Sequence, residues 1–130
     1  MVPKFRAFLT ETKTMHDVLQ IDLSRSMVSL KIENDSEWYW FKEVVLMQST
    51  GLKDKNGVEI FEGDILVNQY GNVGYVAYLQ QEAGFVVVKK KSDYRLGHRN
   101  TGESYDVTTN HEVIGNFWEN PNLLEQANEN

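Results

Sequence analysis

The chain has 130 residues, 41% hydrophobic and 25% charged, with a net charge of −6, two prolines and no cysteine. That size and balance describe one globular domain that buries a core without a staple, and they exclude a disulfide framework and a cysteine-based zinc site. No stretch approaches the ~20 apolar residues of a membrane helix, and Met1-Val2-Pro3-Lys4-Phe5-Arg6 has no apolar run behind its charges, so a cytoplasmic protein is expected.

Phe5 to Leu9 reads as a first strand, followed by the polar turn Thr10-Glu11-Thr12-Lys13. Met15, Val18 and Ile21 are spaced by three, as on a helix, yet they follow a hairpin-like turn, and a strand is preferred. Val28, Leu30 and Ile32 alternate with Ser29 and Lys31 as a half-buried strand does. Glu33-Asn34-Asp35-Ser36-Glu37 breaks that strand, with Asp35 or Ser36 also suited to capping a short helix. Trp38, Tyr39, Trp40 and Phe41 then stand together. Four adjacent rings suit a stacking platform for bases or a peptide, but with Val44 to Met47 so close they suit a core or a subunit contact better.

The centre of the chain is the densest in turn signals. Asn56-Gly57 supplies the positive φ angles of a two-residue type I′ turn, and Glu62-Gly63-Asp64 forms a second reversal in which Asp64 bonds the backbone ahead. Val58, Ile60 and Ile65-Leu66-Val67 are the β-formers around these turns. Here the chain also resembles a known family. The run Leu46-Met47-Gln48-Ser49-Thr50-Gly51-Leu52-Lys53-Asp54-Lys55-Asn56-Gly57, continued by Ile60-Phe61-Glu62-Gly63-Asp64-Ile65, is similar to the signature of the YopX protein family, carried by phages and prophages mainly of Gram-positive bacteria. Lys4-Phe5-Arg6-Ala7-Phe8 resembles that family's opening KFRAW. Glu112-Val113-Ile114-Gly115-Asn116-Phe117-Trp118-Glu119-Asn120-Pro121 resembles its closing EVIGNIYENP. The departures are Phe8 in place of a Trp, Ser49 in place of an aromatic, and residues 89–110, where nothing aligns. The resemblance implies a phage or prophage protein in a bacterial host's cytoplasm and brings no established activity.

Beyond the central turns, Gly71-Asn72 leads to a strand from Val73 to Tyr78 with apolar residues on both faces, and Gly84 opens another from Phe85 to Val88. Residues 89–110 are hydrophilic and read as a long loop. Val113-Ile114 with Phe117-Trp118 makes the last strand, and Asn120-Pro121 starts a short helix docked by Leu123 and Leu124, Asn as its cap and Pro in its first turn. The expected architecture is mainly β, a small SH3-like barrel or a compact antiparallel sheet. Residues 1–124 form one domain, with N-terminal strands in 1–45, a barrel-like part in 46–118 and a flexible tail at 125–130.

For chemistry, Glu59, Glu62 and Asp64 are the tempting carboxylates, but strand alternation sends Glu59 and Glu62 to opposite faces and Asp64 has its turn to hold. His16, His98 and His111 lack metal-site spacing. No phosphate loop or nucleophile elbow is present, and no motif sets a His beside a Ser or Thr. No catalytic residue, metal or cofactor is therefore assigned. Lys89, Lys90, Lys91, Tyr94, Arg95 and Arg99 mix cations with rings, the chemistry of a phosphate and base contact. Residues 89–99 carry +4 and the remainder −10, so long-range repulsion opposes that use. The expected function is non-enzymatic protein binding, with a homo-oligomer anticipated and Trp38, Tyr39, Trp40 and Phe41 as the contact. Nucleic-acid binding through the basic block is the alternative and a small hydrolase using the acids the third.

Overall fold

The computed structural model describes residues 4–80, 83–88, 104–107 and 110–127. In chain order the elements are β1 (Phe5–Leu9), β2 (Thr14–Asp22), β3 (Met27–Ile32), β4 (Asp35–Trp40), a 3-10 turn (Phe41–Glu43), β5 (Val44–Lys53), β6 (Glu59–Phe61), β7 (Asp64–Val67), β8 (Val73–Leu79), β9 (Gly84–Val88), β10 (Ser104–Asp106), β11 (Glu112–Asn116) and α1 (Asn122–Ala127). They fall into two compact units, Met1–Ser49 and Thr50–Asn130, so β5 begins in the first and ends in the second.

In the first unit the antiparallel order is β4-β3-β2-β1-β5. Its core is Ala7, Leu9, Val28, Leu30 and Val44, with Val18, Ile21, Ile32, Tyr39, Phe41 and Leu46 packed against them. The helical spacing in β2 has a local cause. Val18 pairs with Leu30 and Ile21 with Val28, and the register slips between Val18 and Gln20. A bulge adds one residue, so two core-facing positions lie three apart instead of two, and the extra residue, Leu19, is exposed. The turn after β2 is held by Asp22, whose Oδ1 accepts the backbone N–H of Ser24 and Arg25 and the Ser24 hydroxyl. The break expected over residues 33–37 shrinks to Glu33 and Asn34, because β4 already starts at Asp35. That pairing also replaces the helix cap considered for Asp35 or Ser36.

In the second unit the end of β5 pairs with β6, and a five-stranded antiparallel sheet runs β10-β9-β8-β7-β11. Ile60, Leu66, Val76, Val87 and Val107 form its core, with Phe85 and Val113 against them. Asn56-Gly57 does reverse the chain, but not as a type I′ turn. Gly57 has φ +84 and Asn56 is not among the positive-φ residues. Gly57 N–H bonds Asp54 C=O and Asp54 N–H bonds Val58 C=O. This is the three-residue connection, a turn over residues 54–57 whose last position is the left-handed glycine. Asp54 decides between the two forms: its Oδ1 accepts the N–H of both Asn56 and Val58 at 2.8 Å. At the second reversal Gly63, with φ +87, bonds β8 through Val76 C=O and accepts Phe117 N–H. Asp64 bonds backward, taking Phe61 N–H on Oδ2 at 2.8 Å.

Part of the segment read as a long loop is a strand. β10 pairs with β9 from Ser104↔Val88 to Asp106↔Val86, and Val107 joins the core. The last strand stops at Asn116, whose Oδ1 accepts the N–H of Trp118 and Glu119 and so turns the chain where a continued strand was expected. α1 begins after Pro121, but the Asn120 side chain faces away from it, its Oδ1 accepting Asn116 N–H while the Asn120 carbonyl takes Leu123 N–H. Gly115 is needed beneath that contact. A Cβ there would lie 2.7 Å from Asn120 Oδ1 and 2.9 Å from Leu123 Cδ1. Gly115→Ala is expected to lower stability by about 1–2 kcal/mol, read as a lower urea midpoint at unchanged slope. An unchanged midpoint would mean that Asn120 and Leu123 move aside freely.

Two antiparallel sheets and one short helix make the protein mainly β. Among the described residues no pairing closes either sheet into a ring, so the compact antiparallel sheet, not the closed barrel, is the form present.

Candidate functional site

The hairpin β3–β4 carries the aromatic block. Its six register pairs run from Ile32↔Asp35 to Met27↔Trp40, with Glu33 at φ 55 in the connection. Successive strand residues point to opposite faces, so four adjacent rings cannot share one environment. Tyr39 lies opposite Val28 and packs on the first unit's core, as does Phe41 from the 3-10 turn. Trp38, opposite Ser29, and Trp40, opposite Met27, are 47% and 49% exposed. The block expected as a single contact is thus split, two rings anchoring the strand and two displayed.

Two acids finish this strand. Glu37 Oε2 accepts the Tyr39 hydroxyl at 2.7 Å, and that bond, ahead of burial, raises the phenol's pKa. Glu43 Oε2 reaches back to accept Trp40 N–H at 2.8 Å. β4 stands at the end of the strand order, and among the described residues nothing pairs with its outer edge. An unpaired edge with two exposed indoles has the chemistry of a strand-addition surface, where main-chain bonds supply affinity and side chains supply choice.

The remaining candidates are scattered. Lys89, Lys90, Lys91, Tyr94, Arg95 and Arg99, together with His98, lie outside the described residues. Asp64 is buried, while Glu59 and Glu62 are half-buried on either side of Ile60 and Phe61. His111 is buried just before β11, and among the described residues no three His, Asp or Glu side chains gather as a metal site.

One arrangement has no sequence motif to mark it. On β2, Thr14 Oγ1 lies 2.6 Å from His16 Nε2 and 2.6 Å from Thr12 Oγ1, and His16 Nδ1 lies 3.2 Å from Lys31 C=O. A carbonyl only accepts, so Nδ1 donates to Lys31 C=O, and a ring protonated at Nδ1 alone would accept the Thr14 hydroxyl at Nε2. Residues two apart on a strand share a face, and that spacing was the available signal. The ring is oriented by a main-chain carbonyl rather than a carboxylate, on an open surface, which leaves it short of an activated nucleophile.

No helix among the described residues is long and apolar enough to cross a membrane. Comparison with known proteins adds identity at the level of family. No curated protein matches the chain. The crystal structure of protein EF1440 from Enterococcus faecalis is similar at 35% identity, covering 95% of this chain and 99% of that one, with a TM-score of 0.58. The family model described as YopX protein matches residues 4–125. With the opening, central and closing motifs all inside that match, the chain belongs to the YopX protein family.

Proposed function

We propose that this is a phage or prophage accessory protein of the bacterial cytoplasm, without a catalytic role, that acts by binding another protein along β4. The observation that carries the reading is the outer edge of β4, unpaired among the described residues and flanked by the exposed rings of Trp38 and Trp40. Edge strands are usually blunted by charged side chains, above all lysine, by proline or by a bulge. β4, Asp35–Trp40, has no lysine, proline or bulge; its charges are Asp35 and Glu37, set beside three aromatic residues.

The test is a photo-crosslinking amino acid at Ser36, on that edge, in the full-length protein expressed in growing bacteria. Tyr70, 78% exposed between β7 and β8, is the control position. Discrete protein adducts at 36 that are absent at 70, and that disappear when Trp38→Lys is added, are expected. Identical patterns at both positions, or no adduct at 36, would remove the reading.

A further inference from the structure

The connection between β5 and β6 has a twin between β7 and β8. In the first, Asp54 N–H bonds Val58 C=O, Gly57 N–H bonds Asp54 C=O, and Asp54 Oδ1 takes the N–H of Asn56 and Val58. In the second, Asn68 N–H bonds Asn72 C=O, Gly71 N–H bonds Asn68 C=O, and Asn68 Oδ1 takes the N–H of Tyr70 and Asn72. Gly57 and Gly71 have φ +84 and +83. The backbone is the same, and the chemistry differs at two positions. The clamp is a carboxylate in one turn and an amide in the other, and the residue before the glycine is Asn56 in one and Tyr70 in the other.

An asparagine followed by glycine carries a reaction of its own. When the glycine N–H loses its proton to hydroxide, the nitrogen lone pair attacks the asparagine Cγ. The N–Cγ bond forms, the Cγ–Nδ2 bond breaks, and ammonia leaves with a proton from water. The succinimide ring that remains is opened by water at Cγ, giving aspartate, or at the main-chain carbonyl, giving isoaspartate with its chain running through Cβ and Cγ. Glycine favours the attack because no side chain crowds its nitrogen. Asn56 and Gly57 are both exposed, and nothing lies within 4 Å of the Gly57 Cβ position, so water and hydroxide reach the pair.

We propose that Asn56 is a site of spontaneous modification, through succinimide to isoaspartate, and that the Asp54 carboxylate is the latch that holds it unreacted in the folded chain. The Gly57 proton is engaged by Asp54 C=O at 3.0 Å, and the Asn56 and Val58 N–H groups fix the backbone on both sides of the reacting pair. The carboxylate also opposes the negative charge that develops on the Gly57 nitrogen. Reaction then waits on local opening of the turn. Isoaspartate adds a backbone atom between Asp54 and Val58, and the spacing that lets two N–H groups share one oxygen is lost.

The full chain is to be incubated in mildly alkaline buffer, folded and in denaturing urea. Peptide mass spectrometry follows the exchange of NH2 for OH at position 56, and an isoaspartate-specific methyltransferase identifies the product. The denatured chain should react at 56, and the folded chain at least about tenfold more slowly. Asp54→Ala keeps the Asn-Gly pair and should speed the folded chain's reaction about tenfold or more, since bonds to a charged group hold the turn closed. Gly74→Ala, destabilised away from this turn, should leave the rate at 56 unchanged. Tyr70→Asn places the same pair in the twin turn under a neutral clamp. It should react at 70 about tenfold faster than at 56 in the same molecule, because hydrogen bonds to a neutral acceptor are weaker. This variant leaves Asp54 in place, so it decides the matter even if Asp54→Ala does not fold. No reaction at 56 in urea, or a folded chain as fast as the denatured one, would overturn the proposal. So would Gly74→Ala reacting as fast as Asp54→Ala, which would make global stability the protection, or a rate at 70 no higher than at 56.

Discussion

Asp54→Ala is expected to destabilise the protein by about 4 kcal/mol, since each hydrogen bond to a charged group contributes about 1.5–3 kcal/mol and the three at this carboxylate are not fully additive. Oδ1 takes the N–H groups of Asn56 and Val58, and Oδ2 takes that of Val113 at 2.9 Å. The first two close the turn, and the third ties it to β11, 59 residues further along the chain. The Asp54 side chain is buried at 5% exposure, so the orphaned N–H groups have little access to water in its place. Asp54→Asn should fall between wild type and alanine, because the amide keeps one acceptor for the turn but offers Val113 N–H a donor. The neighbouring ion pair Lys55–Glu112, 3.5 Å apart and exposed, contributes little beside this. Urea unfolding of the three proteins decides the matter, and a loss below about 1 kcal/mol for alanine would show that water replaces the carboxylate.

The same carboxylate sets a pH dependence. Burial pushes its pKa up, but the N–H groups of Val113, Val58 and Asn56, helped by Lys55, outweigh burial and hold it below the ordinary value. A pKa lowered on folding means that the unfolded chain binds the proton more readily. The stabilisation is therefore complete above the unfolded value of about 3.9 and is lost as pH falls through the folded one. The wild type should lose stability over that acid range more steeply than Asp54→Asn, which has no proton to gain there. Parallel curves would remove Asp54 as the cause.

The second large effect is expected at Gly74. A Cβ there would sit 2.7 Å from Val87 Cγ1 and 2.8 Å from the Val88 carbonyl oxygen. Val87 is fully buried in the second unit's core, and Val88 pairs with Tyr75 in the ladder, so neither has room to retreat. Gly74→Ala should cost about 2–3 kcal/mol, the range of overpacking a filled core, and Gly74→Val more. At Gly71 nothing lies within 4 Å of the Cβ position, and its φ of +83 means that a side chain there costs backbone strain rather than overpacking. Equal midpoints for wild type and Gly74→Ala would show that β8 and β9 separate at this point without penalty.

Much of the fold was legible in order of residues alone, for a reason that is local. Val28, Leu30 and Ile32 announce a strand because period-two alternation needs no knowledge of the partner, and Asn56-Gly57 and Gly63 announce reversals because backbone sterics act over three or four residues. The family's opening, central and closing motifs were readable in the same way. What failed was whatever depended on a side-chain bond or on a distant neighbour. The turn at Asn56 took its form from the Asp54 side chain, and that side chain's third partner, Val113, lies on another strand. β10 has too few apolar residues to signal itself and exists because β9 offers it an edge. The helical spacing in β2 came from a bulge against β3. The candidate site shows the same division. Alternation alone implies that Trp38 and Trp40 share one face and Tyr39 the other, but which face is covered, and that β4 ends its sheet, are properties of strand order. Strand order is set by which long-range pairings bury the most apolar surface, and no short window of residues contains that comparison.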